Sequence, residues 1–444
     1  ATDHGPRTKM NLLPSEEVKA DEGRAQPVRG ARMALFLLLS INLFNYIDRQ
    51  VLAAVEPDIR RELLPNDPNA MMKTGWLSTA FLLTYMLVSP IFGYYGDRVS
   101  RWLLIGIGVI LWSLASGASG IDWPVPLAHA YTVLLITRFF VGIGESAYGP
   151  TAPTLISDMY PVKRRGQVLA GFYVAIPVGS ALGYTLGGLC SGSLGWRWAF
   201  YLVVPPGILL GLWCLWMPEP PRGHSDQVSS RDVHWRDYLV LAKCPSYVLD
   251  CLGMTAMTFA MGALGFWMPA YLEYRKAEAV AGIDPVTFFG GLTALCGLIA
   301  TILGGLAGDW LQPRFSGSYF LVSGFGLAVG FPMVLLVTMT PFPLAWVFIA
   351  LAVFFLFFNT GPANTILANV THPSIRAGAF AINIFFIHAL GDAISPPLIG
   401  LVADERGLDA GFRTISYTIL VGAFFWLWGA RYLQRDADAA TTQL

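Results

Sequence analysis

The sequence predicts an all-α membrane protein, twelve transmembrane helices in two six-helix halves related by pseudo-two-fold symmetry. Three observations point there: a composition too apolar for a water-facing surface, twelve apolar runs of spanning length, and a pattern of glycines, prolines and charges that occurs twice along the chain.

Hydrophobic residues make up 55% of the chain and charged residues 13%. That is about half the roughly 25% charge of a soluble domain, so the natural solvent is lipid. Lys plus Arg (29) balances Asp plus Glu (29), which removes the electrostatic case for nucleic acid as a partner. Cys190, Cys214, Cys244, Cys251 and Cys296 lack metal-ligand spacing and lie in or beside apolar runs. They read as small buried hydrophobes, and neither a metal nor a cofactor is expected.

A span needs about 20 mostly apolar residues to cross roughly 30 Å of hydrocarbon. Twelve runs qualify, near 33–56, 75–95, 103–120, 130–157, 167–190, 198–217, 246–272, 287–308, 318–339, 343–369, 378–402 and 411–431. With the N-terminus inside, Arg98, Arg101, Lys163, Arg164, Arg165 and Arg314 join most other basic residues on one side. The opposite side keeps Arg60, Arg61, Lys73, Arg197, Arg275, Lys276, Arg406 and Arg413. This bias predicts a multi-pass protein of the cell inner or plasma membrane with both termini cytosolic. The expected organisation is a disordered cytosolic tail (1–31), an N-terminal half (32–217), a cytosolic linker (218–245), a C-terminal half (246–431) and a second tail (432–444). The first apolar run is too long for a cleaved signal segment, and the polar residues before it include Pro6, Pro14 and Pro27. Within the linker, His234-Trp235-Arg236 reads either as a membrane-surface segment or as a solvated connector.

The internal repeat supports the same division independently of hydropathy. Gly93 recurs 212 positions on as Gly305, and the pairs Asp97/Asp309, Gly149/Gly361, Pro150/Pro362, Arg164/Arg376 and Gly179/Gly391 share that offset. Membrane helices favour Gly and Pro in general, but not charged pairs at one register. Two parallel repeats with a substrate site between them near the midplane are predicted.

The run Gly93-Tyr94-Tyr95-Gly96-Asp97-Arg98-Val99-Ser100-Arg101 closes the second span. It resembles the signature loop of the major facilitator superfamily, G-x-x-x-D-R-x-x-R. By that resemblance Asp97 faces the positive N-terminus of span 11 near Ala377, and Asp309 mirrors it against span 5 near Gly166. Asp97, Arg98, Arg101 and Asp309 are therefore the gating candidates, biasing alternating access rather than binding cargo. The second copy has Trp310 where the first has Arg98, so the two latches are expected to be unequal.

Span 1 carries Asp48 and Arg49, and span 4 carries Arg138 and Glu145. At roughly 2.5–3.5 kcal/mol each, four unpaired charges would cost on the order of 10 kcal/mol, so they are not expected to face lipid. Arg138 and Glu145 are two turns apart and share a face. Counting about 1.5 Å per residue, Asp48 lies ~24 Å along span 1, Arg138 ~12 Å down span 4 and Tyr184 ~27 Å up span 5, one layer of the bilayer, with Glu145 near the midplane. One reading is a static ion pair; the other makes Asp48 and Glu145 protonatable carriers whose arginines also meet an anionic solute.

In the C-terminal half, His388 and Asp392 read as the only deep ionisable residues. They are placed four apart, as a structural pair or a proton relay. Phe354, Phe355, Phe357, Phe358, Phe385 and Phe386 are core, lipid-facing or an apolar cavity wall. In span 5, Gly179, Gly183 and Gly187 form a stripe for close helix approach, with Pro177 as an alternative hinge.

The runs Asn45-Tyr46-Ile47-Asp48-Arg49, Arg138-Phe139-Phe140-Val141-Gly142-Ile143-Gly144-Glu145, Pro153-Thr154-Leu155-Ile156-Ser157-Asp158, Leu390-Gly391-Asp392 and Ser395-Pro396 together resemble the Spinster family, over about 40–402. Its buried acid and arginine positions match Asp48, Arg49, Arg138 and Glu145, and Thr154 and Tyr184 fall where polar cavity contacts are expected. The resemblance implies proton coupling and an amphiphilic, lysophospholipid-like or sphingosine-phosphate-like cargo.

The sequence thus predicts a proton-coupled secondary transporter of an amphiphilic lipid-like or organic anion, acting as a monomer among membrane lipids. A broad drug exporter and a passive facilitator are the alternatives. An enzyme is not expected, for no nucleophile elbow or metal cluster is present in the sequence.

Overall fold

The computed structural model describes residues 27–96, 98–221, 235–372 and 375–440. Among the described residues, twelve helices are long and apolar enough to cross a membrane: Ala31–Ala54, Ala70–Gly96, Arg101–Gly120, His129–Met159, Gly171–Ser193, Arg197–Leu215, Pro245–Tyr274, Pro285–Leu311, Ser318–Met339, Ala345–Asn369, Gly378–Arg406 and Leu408–Gly429. They are numbered spans 1 to 12. Because each half contributes an even number of spans, residues 27 and 440 and the residues on either side of 222–234 lie at one face, called here the linker face. The opposite one is the far face. A short helix not anticipated from hydropathy, Glu56–Leu63, runs between spans 1 and 2 at the far face, and a 3-10 helix, Trp235–Lys243, precedes span 7. His234 and the residues of the first tail up to 26 lie outside the described residues.

The two halves break their helices at matching places, and proline gives the reason. Span 4 is two helices, Leu127–Ser146 and Thr151–Met159; span 10 is Ala345–Phe357 followed by Thr360–Asn369. Pro150 and Pro362 each lack an N–H and press on the carbonyl four residues back, at Ser146 and Phe358, where the helices stop. Pro177 acts alike on Tyr173, so span 5 breaks between Tyr173 and Ala175, one turn before the proline itself. Span 11 departs most, with a widened turn at His388–Asp392 in which Gly391 has non-helical angles (φ −104°, ψ −106°).

Within the N-terminal half the glycine stripe of span 5 faces span 1. A Cβ at Gly179, Gly183 or Gly187 would come within 2.8 Å of Tyr46, Ile47 or Ala54, so bare backbone is what lets these helices touch.

The halves meet toward the far face. There the start of span 2 lies against the end of span 11: a Cβ at Gly75 would strike the Pro396 backbone at 2.6 Å, and one at Gly400 the Met71 carbonyl at 2.5 Å. Both carboxylate oxygens of Asp404 accept backbone N–H groups from the first turn of span 2, Met71 at 3.0 Å and Met72 at 2.9 Å. Those amides have no helical acceptor of their own, and the helix dipole favours the negative charge. Thr79 donates to the Ala393 carbonyl, Arg61 pairs with Glu273, and the Tyr184 hydroxyl donates to the Gly265 carbonyl at 2.6 Å. At the linker face, Gly93 of span 2 and Gly305 of span 8 look onto open space.

Candidate functional site

Between the halves lies a cavity of about 450 Å³ lined from both sides. The N-terminal half supplies Asp48 and Arg49 from span 1, Arg138 and Glu145 from span 4, and Tyr184 from span 5. The C-terminal half supplies Met257, Met261, Leu264, Phe289, Val353 and Leu356, together with His388 and Asp392. One wall is thus ionic and the other mostly apolar. Of the six phenylalanines read as core, lipid-facing or cavity wall, Phe357 lines the cavity, whereas Phe385 and Phe386 are exposed elsewhere.

The pairing of charges follows from helix geometry. Asp48 and Arg49 are adjacent on span 1 and point about 100° apart, so they reach different partners. Arg49 donates through Nε and Nη2 to Glu145 Oε2 at 2.9 and 2.7 Å. Its guanidinium also sits 4.8 to 5.3 Å from the Tyr46, Phe81 and Tyr85 rings, which favours a cation there. Asp48 accepts from Ser116 of span 3, and Arg138 Nη2 donates to Ser119 of the same span at 2.6 Å. Asp48 and Arg138 are therefore held by two different serines of span 3, and no ion pair joins them directly. Ser116 and Ser119 escaped the sequence reading because serine in an apolar run carries no signal by itself. Their three-residue spacing, one face of a helix, was the available clue.

Asp48, Arg138 and Glu145 are all at most 2% exposed, yet Asp48 Oδ2, Glu145 Oε1 and Arg138 Nε have no protein partner. Such atoms are costly to bury and are expected to exchange protons or ligands. His388 Nδ1 lies 2.9 and 3.0 Å from the two oxygens of Asp392. The pair sits on the widened turn of span 11 and faces the same cavity.

Several expectations change. Thr154 is exposed, does not line the cavity, and donates to the Thr151 carbonyl at 2.8 Å, on the short second helix of span 4 beyond its break. Tyr184 lines the cavity, but its hydroxyl is committed to Gly265 across the halves. Arg101 is buried inside the N-terminal half, bonded to Glu219 at 2.7 Å and paired with Asp158, so it ties span 3 to span 4 and the linker. Arg98 lies over the Tyr94 ring, 3.5 Å from its centroid. Asp309 accepts from Tyr319 of its own half at 2.9 Å; the side chains around Gly166 expected opposite it lie outside the described residues. Asp97 lies outside the described residues. His388 and Asp392 are not the only deep ionisable groups of the C-terminal half: Asp250 of span 7 is fully buried and accepts from Trp426 Nε1 at 2.9 Å.

Comparison with known proteins follows the same lines. The Major Facilitator Superfamily model matches residues 38–396. Protein spinster homolog 3 of Danio rerio is 32% identical, covering 98% of this chain and 95% of its own. Protein spinster homolog 1 of Homo sapiens is 35% identical over 96% of this chain and 86% of its own. The sphingosine-1-phosphate transporter SPNS2 of Danio rerio is 32% identical over 91% and 84%. Among solved structures, a bacterial homologue of the human lysosomal transporter Spinster, inward-facing and unoccupied, superposes with a TM-score of 0.77 at 22% identity, covering 91% of this chain and 98% of that one. A D-xylose-proton symporter gives 0.72 at 18% identity, over 89% and 96%.

Proposed function

The chain belongs to the Spinster family of the Major Facilitator Superfamily, integral membrane transporters of lipid-like or organic solutes and not enzymes, and from that premise we propose that it carries an anionic amphiphile in exchange or symport with protons. The observation that carries this reading is the two-sided cavity. An ionic wall with unpartnered polar atoms stands opposite a wall of methionine, leucine and phenylalanine. A solute with a phosphate or carboxylate head and an alkyl tail satisfies both walls at once. A sugar would leave the apolar wall unmatched, and a neutral hydrocarbon would leave the arginines without an anion. That some relatives are named sphingosine-1-phosphate transporters agrees with this class and favours a lysolipid of that kind.

Coupling follows from sharing. Arg49 and Arg138 serve as partners either of the buried carboxylates or of the cargo head group. When the head group takes an arginine, the released carboxylate is left in a dry site, where it binds a proton. Protonated and cargo-bound states therefore favour each other. The faces are assigned by charge: the linker face, richer in Lys and Arg, is cytosolic, and the contacts between halves at the far face leave the cavity for entry or exit at the cytosolic side.

The test is reconstitution into liposomes with an imposed pH difference and a panel of lysophospholipids, sphingosine phosphate and neutral analogues. Accumulation of the anionic amphiphiles that follows the pH difference is expected. Transport that ignores the pH difference would establish a passive facilitator, and equal handling of cationic dyes a broad exporter.

A further inference from the structure

A second, smaller cavity opens at the far face wholly within the N-terminal half. It has about 150 Å³ and lies between the Glu56–Leu63 helix, the turn joining spans 3 and 4, and the start of span 6, room for several waters. Its rim is charged: Arg197 pairs with Glu62 at 2.7 Å and lies 3.5 Å from Asp122, while Trp196 Nε1 donates to Glu62 at 2.7 Å. Its inner lining includes Ser119. This is the hydroxyl that receives Arg138 Nη2 at 2.6 Å, and it lies 2.7 Å from the Thr137 hydroxyl. Arg138 itself lines the central cavity. One serine and one guanidinium therefore separate the far-face pocket from the transport site. One turn deeper on span 3, Ser116 holds Asp48.

We propose that this pocket is a water and proton entrance from the outer side, distinct from the cargo route between the halves, and that Ser119 with Arg138 is its gate, shut in the conformation seen here. The argument rests on the proton-coupled reading and deepens it. The seam involves spans 3, 4 and 6 of one half, so it does not pass the outer contacts of Asp404 with span 2 or Tyr184 with span 7. A guanidinium fixed at the inner end repels hydronium, as an arginine does in a water-selective pore. Shutting the seam while the halves are joined at the far face keeps the outer solution from leaking protons into a cavity served from the other side. In the opposite state, an anionic head group drawing Arg138 off Ser119 opens the seam, and Asp48 Oδ2 takes an excess proton relayed from hydronium of the outer solution along water beside Ser119 and Ser116. Asp48 then becomes a neutral acid. The charged groups around it are Arg49 on its own span, Arg138 and Glu145 from span 4, and His388 and Asp392 across the cavity.

Two measurements test this on the full chain. Ala130→Cys, at a residue lining the pocket without a polar bond, and Ser119→Cys are exposed to a membrane-impermeant charged thiol reagent in right-side-out and inside-out vesicles, with the unsubstituted chain as background. Labelling at least about tenfold faster from the outer side is expected for both. Labelling only from the inner side, or none above background at Ala130→Cys, overturns the proposal whatever the coupling. Ser119→Ala in liposomes holding a trapped pH dye is then expected to raise cargo-independent proton influx at least about fivefold. Outer labelling with unchanged influx removes the gate assignment. The broader reading fails separately, if the unsubstituted protein shows no pH-driven accumulation.

Discussion

The two halves share a fold and a helix-break pattern but divide the chemistry. In the N-terminal half, Asp48, Arg49, Arg138 and Glu145 come from two helices and face one cavity, with polar atoms left unpartnered. In the C-terminal half Asp250 lies away from the cavity, one oxygen held by Trp426 and Oδ2 unpartnered, and Arg275 is held by Asp409 at 3.3 Å, by Tyr271 and by the Thr338 and Thr340 carbonyls. What remains toward the cavity there is apolar surface and the His388/Asp392 pair. The difference teaches that duplicated scaffolds need not duplicate function. In the function proposed above, the first half exchanges protons while the second receives the alkyl tail.

Substitutions on either side can break or sharpen this contrast. The largest effect is expected at Glu145→Gln, which keeps shape and removes the titrating group. Folding should stay near normal while pH-driven accumulation drops by at least about 100-fold, an effect of about 2.8 kcal/mol; uptake that persists would take Glu145 out of coupling. Next comes Arg138→Ala, expected to weaken anionic cargo by about tenfold to 100-fold and neutral analogues far less. Equal losses in competition binding would mark a structural pair.

The C-terminal counterpart is Asp250→Ala, which leaves the Trp426 indole N–H without its acceptor. A loss of about 1–3 kcal/mol in stability is expected, read by thermal unfolding in detergent, with the pH profile of transport unchanged. A shifted profile would make the C-terminal half a second coupling site. Smallest is Asp404→Asn at the outer contact of spans 2 and 11. Removing the charge at that helix N-terminus costs about 0.3–1 kcal/mol. The population open at the far face should rise about two- to fivefold, as spin-label distances between the halves would report, and a fall would contradict the latch.

Much of this was legible beforehand in particular residues. The twelve spans, the 212-residue repeat and the clustering of Asp48, Arg49, Arg138 and Glu145 could be read directly, because hydropathy and the cost of burying charge are local properties of a segment. The partners were less legible. Asp48 and Arg49 are neighbours in sequence but serve different partners, and nothing in the order of residues says that Ser116 bonds Asp48 or that Ser119 bonds Arg138. Thr154 lies past the break in span 4, on the helix Thr151–Met159, a break that hydropathy does not mark. Asp250 and Asp404 lie within a few residues of span ends, where a carboxylate by itself does not signal burial or a partner.

By itself, then, the sequence determined that this chain has twelve runs of spanning length, that a pattern of glycines, prolines and charges repeats in its two halves, and that Asp48, Arg49, Arg138 and Glu145 lie inside spans of the first. Only the tertiary structure decided which acid meets which base, which face the halves close, and that a serine and an arginine wall off a second pocket. The reason is physical: solvation acts on each segment as it stands, whereas a hydrogen bond exists only once packing has brought two distant helices within about 3 Å.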